Sequence, residues 1–148
     1  MKKFFSICLI IALLMLNGCS FKVKQDTFSI PENTVSSIEI QKEYTTEDGQ
    51  TFYRCKVVDG IEDVEKICEM IRTLPAEKVP AGEQTAIRST PLIIIMRSEI
   101  EHRLILNEER AFYNQMAYNY LDSDTFEDFM DLYDNLAYEE SDTEAKPL

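Results

Sequence analysis

The run Leu92-Ile93-Ile94-Ile95-Met96, directly after Pro91, decides the fold of this chain. An unbroken apolar run of this length is typical of a strand that lies at the centre of a sheet or is covered on both faces. Downstream, residues 100–106 alternate between apolar and polar side chains, and residues 111–121 are rich in aromatics. Both patterns favour further strands, so a sheet is expected to form around 92–96. Residues 111–121 leave a helix open as the alternative, because Phe112, Met116 and Tyr120 recur at every fourth position.

Two strands joined as a hairpin are expected before this run. In residues 35–44, Ile38 and Ile40 lie on one face of the expected first strand. In residues 51–58, Tyr53, Cys55 and Val57 share one face of the expected second strand. The polar break between the strands contains Asp-Gly, which is a strong hairpin signal.

Two amphipathic helices complete the pattern, because apolar residues recur at helical spacing in both segments. The first follows Asp59 and stops at Pro75, and the second follows Asp124. Glu62 and Glu127 stand three residues after the two aspartates, which predicts a capping box at each start.

The sequence therefore predicts an α+β domain at residues 30–138. We expect an antiparallel sheet of four to five strands with two amphipathic helices packed on one face, in the order ββαβββα. Residues 76–90 lack a clear period and read as a loop. Residues 19–29 read as a tether, and the acidic, apolar-poor tail 139–148 is expected to be disordered.

The N-terminal residues have the pattern of a targeting signal. Lys2 and Lys3 precede an uncharged apolar run at residues 4–16, which is the layout of a secretory signal. Leu16-Asn17-Gly18-Cys19 resembles the lipobox of bacterial lipoproteins. The resemblance implies that residues 1–18 are a signal peptide, that cleavage precedes Cys19, and that this cysteine is lipidated.

Acyl chains such as palmitate would hold such a protein on a membrane, facing out of the cytoplasm. Each buried CH₂ contributes about 0.8 kcal/mol, and two or more chains anchor stably where one does not. The alternative is a plain signal peptide with an incidental cysteine.

Charge excludes one class of partner. The whole chain carries a net charge of −12, and removal of residues 1–18, which hold two lysines and no acid, leaves 13 basic against 27 acidic residues, a net charge of −14. Nucleic-acid binding requires clustered Lys and Arg, so no nucleic acid is expected. Because the chain is strongly acidic, electrostatic binding to anionic lipid is not expected either. A cationic ligand or a basic protein remains compatible.

Two cysteines remain once Cys8 leaves with the signal and Cys19 takes lipid. Cys55 and Cys68 form a possible disulfide, since a helix folded back over its strand would bring them to similar depth. The alternative is that both stay reduced and serve as small apolar groups of the core.

Catalytic and metal signals are weak. His102 is the single histidine of the chain, so a Ser–His pair would have to use it. On an apolar strand face, a histidine is more often structural. The stretch from Asp122 begins like a calcium loop, but it has Glu127 at the glycine position and Tyr133 at the bidentate position. No metal or cofactor is predicted.

Aromatic residues concentrate in the last third, where Tyr113, Tyr118 and Tyr120 form a possible binding face. Together with the predicted signal peptide and lipid anchor, this pattern favours a membrane-anchored, non-enzymatic binding or interaction module of unknown ligand. One alternative is a small cell-envelope hydrolase that uses carboxylates or a Ser–His102 pair. A second alternative is a structural spacer.

Overall fold

Eight strands form one antiparallel sheet in the computed structural model, which describes residues 28–143. The strands are β1 Ser37–Thr45, β2 Thr51–Val58, β3 Ala76–Lys78, β4 Leu92–Arg97, β5 His102–Leu106, β6 Arg110–Tyr113, β7 Met116–Tyr120 and β8 Glu140–Thr143. The helices are α1 Ile61–Arg72 and α2 Thr125–Asn135, and a 3₁₀ turn spans Ala81–Glu83. The order across the sheet is β3-β7-β6-β5-β4-β1-β2-β8.

Strand β4 lies at the centre, as its sequence predicts. It pairs with β1 on one side and β5 on the other, and residues 92–96 are all buried. Leu92, Ile94 and Met96 face the helices, whereas Ile93 and Ile95 face the opposite side. A strand covered on both sides cannot alternate with polar residues, which explains its continuous apolar run.

The predicted sheet of four to five strands is wrong, because three short elements were missed. Residues 111–121 are not one strand but the hairpin β6–β7, turning at Asn114 and Gln115. Strand β3 lies in the segment expected to be a loop, and β8 lies in the segment expected to be a disordered tail. Both are edge strands of three or four mostly polar residues, so they carry no hydrophobic period.

Both helices pack on the same face of the sheet, as predicted. Helix α1 contributes Val64, Ile67 and Ile71 to the core, and α2 contributes Phe126 and Phe129. None of the helices within residues 28–143 is long and apolar enough to cross a membrane.

The predicted capping boxes do not form. The N-cap of α1 is Gly60 rather than Asp59, and its N–H donates to the Tyr138 hydroxyl (3.2 Å), which in turn donates to Asp63 (2.8 Å). Asp124 does occupy the N-cap of α2, but its side chain makes no capping bond there. A tertiary contact from Tyr138 thus replaces the local cap at α1.

The C-terminal end of α2 is fixed from the sheet. Lys56 on β2 is buried, and its ammonium donates to the carbonyls of Tyr133 and Leu136, both at 2.8 Å. The ammonium also lies 4.8 Å from the centre of the Tyr133 ring. A cation at a helix C-terminus meets unpaired carbonyls and the negative end of the helix dipole, so this contact anchors α2 to the sheet.

Candidate functional site

The proposed lipid anchor falls outside the described residues. Cys19 and the predicted signal peptide, residues 1–18, precede residue 28, where the described structure begins. The predicted tether 19–29 is described only at its end, and there Phe28 is buried against the rings of Tyr113 and Tyr118.

The sheet separates Cys55 and Cys68. Both are buried and are not joined by a disulfide. Cys68 belongs to the core under the helices, whereas Cys55 lies on the same strand face as Tyr53, which packs on the opposite side of the sheet. Strand alternation sets this arrangement, because the adjacent Lys56 points to the helices. The structure therefore favours the alternative of two reduced, buried cysteines.

The three tyrosines of the predicted binding face lie on the helix side of the sheet. Tyr113 is buried, and Tyr118 and Tyr120 are partly buried against the same core. The Tyr120 hydroxyl donates to the Asn107 carbonyl (2.9 Å), and burial, the larger effect, raises the pKa of Tyr120. They form part of the core and its border rather than an exposed face.

His102 lies on a tyrosine. Its Nδ1 is 2.8 Å from the Tyr113 hydroxyl, and the two rings stack with 6.0 Å between centroids. Among residues 28–143, this hydroxyl is the hydrogen-bond partner of the His102 ring. No serine, cysteine or carboxylate of that range is bonded to the ring, so the Ser–His102 pair of the alternative hydrolase interpretation is not formed there.

The acidic stretch at the start of α2 forms a turn. Asp122 accepts the N–H of Asp124 (3.1 Å), which is a local Asx turn. Within residues 28–143, no group of three or more His, Cys, Asp or Glu side chains is arranged to hold a metal ion.

The helix-free face of the sheet carries the larger cavities. Its floor is a second apolar cluster that includes Ile93, Ile105, Phe112 and Ala117. Over this floor runs an irregular segment, residues 85–89, which we call the strap. Ile87 of the strap packs on the floor.

The strap is fastened on both sides. Before it, the side-chain amide oxygen Oε1 of Gln84 accepts the N–H of Ala117 (2.9 Å) on β7. After it, the Thr90 hydroxyl lies 2.7 Å from the Tyr53 hydroxyl, which donates to Glu43 (2.8 Å). Burial is the main cause of the raised pKa of Tyr53, so its hydroxyl remains protonated and able to donate.

A cavity opens on each side of the strap, and Phe112 lines both. The first, of about 480 Å³, lies towards the β6–β7 turn, with Arg103, Asn114 and Ile105 in its walls. The second, of about 550 Å³, lies towards the β5–β6 turn, and we call it the arginine cleft because Arg88 and Arg110 line it.

The walls of the arginine cleft are ordered by two side chains. Asn107 is buried and accepts the N–H groups of Glu109 (3.0 Å) and Arg110 (2.9 Å), which fixes the β5–β6 turn. Arg110 Nη1 donates to the Thr85 hydroxyl (2.8 Å) and so ties this turn to the strap. Both cavities fall in the size range of small-molecule sites.

Sequence reasoning missed this site. Residues 76–90 show no period, and the two arginines are far apart in the sequence, so no spacing signals their meeting. A cleft that assembles from a strap and a turn becomes visible only once the register of β5 and β6 is known.

Comparison with known proteins adds no family. No family model matches the chain, and no curated protein and no solved structure shows significant similarity to it.

Proposed function

We propose that this chain is a membrane-anchored binding module that faces out of the cytoplasm and holds its ligand in the arginine cleft. The anchor is Cys19, on the basis of its resemblance to a lipobox cysteine. The observation that carries the binding role is the pair of cavities on either side of a strap that is fastened at both ends. A strap fastened at both ends holds the walls of the cavities in place, and preorganised sites bind at lower entropic cost.

The binding role is favoured over hydrolysis by the chemistry of the cleft walls. Its lining contains arginines, glutamates, Thr85, Ser89 and Asn107, but no histidine or cysteine. A serine or threonine nucleophile needs an adjacent base, and His102 lies on the other side of the sheet, bonded to Tyr113.

Hydrogen–deuterium exchange of the detergent-solubilised full chain tests this proposal. The chain is incubated with the low-molecular-weight fraction of a bacterial envelope extract, or with buffer alone. We expect slower exchange in residues 85–91 and 107–112, with α1 and α2 as internal controls that do not change. The composition of the extract is followed by mass spectrometry in parallel.

Three outcomes are distinguished. Protection of the cleft with an unchanged extract supports a binding module. Consumption of an extract component, abolished in a heat-denatured sample, would contradict the non-enzymatic role. Unchanged exchange throughout the strap would contradict the binding role itself, and the structural spacer would then be the remaining interpretation.

A further inference from the structure

The arginine cleft has an unusual distribution of charge. Besides its two arginines, the lining includes Glu43, Glu108 and Glu109. Glu43 accepts a hydrogen bond from Tyr53, whereas Glu108 and Glu109 are exposed on the β5–β6 turn. None of the described ion pairs joins a glutamate of the cleft to one of its arginines, although they line the same cavity.

The arginines of the cleft differ from all others in the chain. The six arginines of the sequence lie within residues 28–143, and four of them have a carboxylate oxygen at 2.5 to 3.5 Å: Arg54, Arg72, Arg97 and Arg103. The two without such a partner among the described residues are Arg88 and Arg110, which both line the arginine cleft. In a chain this acidic, two unpaired guanidinium groups in one cavity indicate a site for an anionic group.

Arg110 also has an unused donor. Its Nη1 is held by Thr85, but its buried Nε has no hydrogen-bond partner. Nε and Nη2 form the side of the guanidinium that binds a carboxylate through two parallel bonds.

A bare anion does not fit the rest of the cleft. Three carboxylates line the same space, and at a few ångströms they would repel a ligand that carries only negative charge. A ligand with a carboxylate at one end and an ammonium at the other would complement both: its carboxylate would pair with the arginines, and its ammonium would pair with the glutamates.

We propose that the arginine cleft binds a small zwitterion of the amino-acid or dipeptide class. The ligand's carboxylate lies on Arg110 and Arg88, and its ammonium lies towards Glu43 and Glu109. This inference rests on the proposed binding role and adds the chemical class of the ligand.

Isothermal titration calorimetry with three matched probes tests the inference on the detergent-solubilised full chain. The probes are L-alanyl-L-alanine, its N-acetyl derivative, which lacks the ammonium, and its C-terminal amide, which lacks the carboxylate. We expect the unmodified dipeptide to bind at least about tenfold more tightly than either derivative, since a hydrogen-bonded charge is lost in each.

Substitutions assign the contacts. Arg110→Gln should weaken dipeptide binding by about tenfold or more, and Arg88→Gln should do so without affecting the fold, because Arg88 is exposed. Arg54→Gln is the control, since Arg54 pairs with Glu140 away from the cleft and its loss should leave affinity unchanged.

Several results would overturn the inference. Equal binding of the dipeptide and its N-acetyl derivative would indicate a plain anion site. Absence of binding by all three probes, or unchanged affinity in Arg88→Gln, would contradict a zwitterion site. If the envelope extract still protects the strap from exchange in that case, the binding role stands and only the ligand class fails.

Discussion

Lys56 shows how one buried charge fixes a helix to the sheet. Replacement of Lys56 by Met keeps the apolar stem but removes both bonds to the end of α2. We expect the free energy of unfolding to fall by about 2–4 kcal/mol, because one buried and one partly buried carbonyl lose a charged donor. Urea unfolding followed by circular dichroism measures this change.

Lys66→Met is the matched control. Lys66 is exposed on α1, so the same substitution there should change stability by less than about 0.5 kcal/mol. Equal effects at both positions would contradict the role assigned to Lys56.

Gly60 is required by a close approach. A Cβ at this position would lie 2.5 Å from the Tyr138 hydroxyl oxygen, which both accepts from Gly60 and donates to Asp63. Gly60→Ala should therefore destabilise the fold by about 1–2 kcal/mol, and should cost less in a Tyr138→Phe background, where the obstructing oxygen is absent.

A double-mutant cycle, measured by urea unfolding, tests this coupling. Gly82→Ala serves as the control, because nothing lies within 4 Å of a Cβ there. Strictly additive effects of the Gly60 and Tyr138 changes would show that the contact is unimportant.

At the scale of elements, the β6–β7 turn carries measurable strain. Asn114 and Gln115 both have positive φ, at 46° and 70°, as a type I′ turn requires. Asn tolerates this conformation, but Gln does so only at a cost. Gln115→Gly should raise the free energy of unfolding by about 0.5–1 kcal/mol.

Gly49 provides the reciprocal test. It also has positive φ, at 83°, with open space around it, so Gly49→Ala changes only the backbone preference and should destabilise by about 1 kcal/mol. Thermal unfolding measures both variants. A destabilised Gln115→Gly variant would contradict the turn geometry.

The same turn marks the limit of prediction from sequence. Strand β4 and both helices could be predicted because burial imposes a clear pattern on long segments. The hairpin could not, since Phe112 and Tyr118 fit one long strand as well as two short ones. Strands β3 and β8 are stabilised by pairing with β7 and β2, and this contact leaves no trace in their own residues.

The separation of Cys55 from Cys68 follows only in part from the sequence. Cys55 shares a strand face with Tyr53, and the helix-facing side is set by Val58 on the other parity. Knowledge of which face the helices cover was missing, and this is a property of the assembled sheet. The arginine cleft was hidden for the same reason.

At the scale of the whole molecule, the buried thiol of Cys68 and the buried hydroxyl of Tyr133 should make the fold less stable at high pH. Burial, first among the causes, raises the pKa of Cys68 to about 11 and also raises the pKa of Tyr133, with the bond to Glu140 as an added cause at Tyr133. The folded state then holds protons that the unfolded chain releases. Stability is therefore full below pH about 9 and falls as pH rises from there through about 11.

Urea unfolding at pH 8, 9, 10 and 11 measures this loss. Each such group contributes at most about 1.4 kcal/mol per pH unit. Tyr133→Phe removes one of them and should flatten the decline. Equal stability at pH 8 and pH 11 would contradict the burial of these protons.

The central proposal concerns location: we propose that the domain works at a membrane, outside the cytoplasm, and is held there by lipid on Cys19. Fractionation of bacterial cells that express the wild-type chain or the Cys19→Ser variant tests it most directly. The wild-type chain should sediment with membranes. In cells whose outer envelope layer has been permeabilised, it should also react with an amine reagent that cannot cross the cytoplasmic membrane. The variant should lose stable lipid attachment and be extracted without detergent. A variant that stays bound as firmly as the wild type, or a wild-type chain found in the cytosol, would contradict the account.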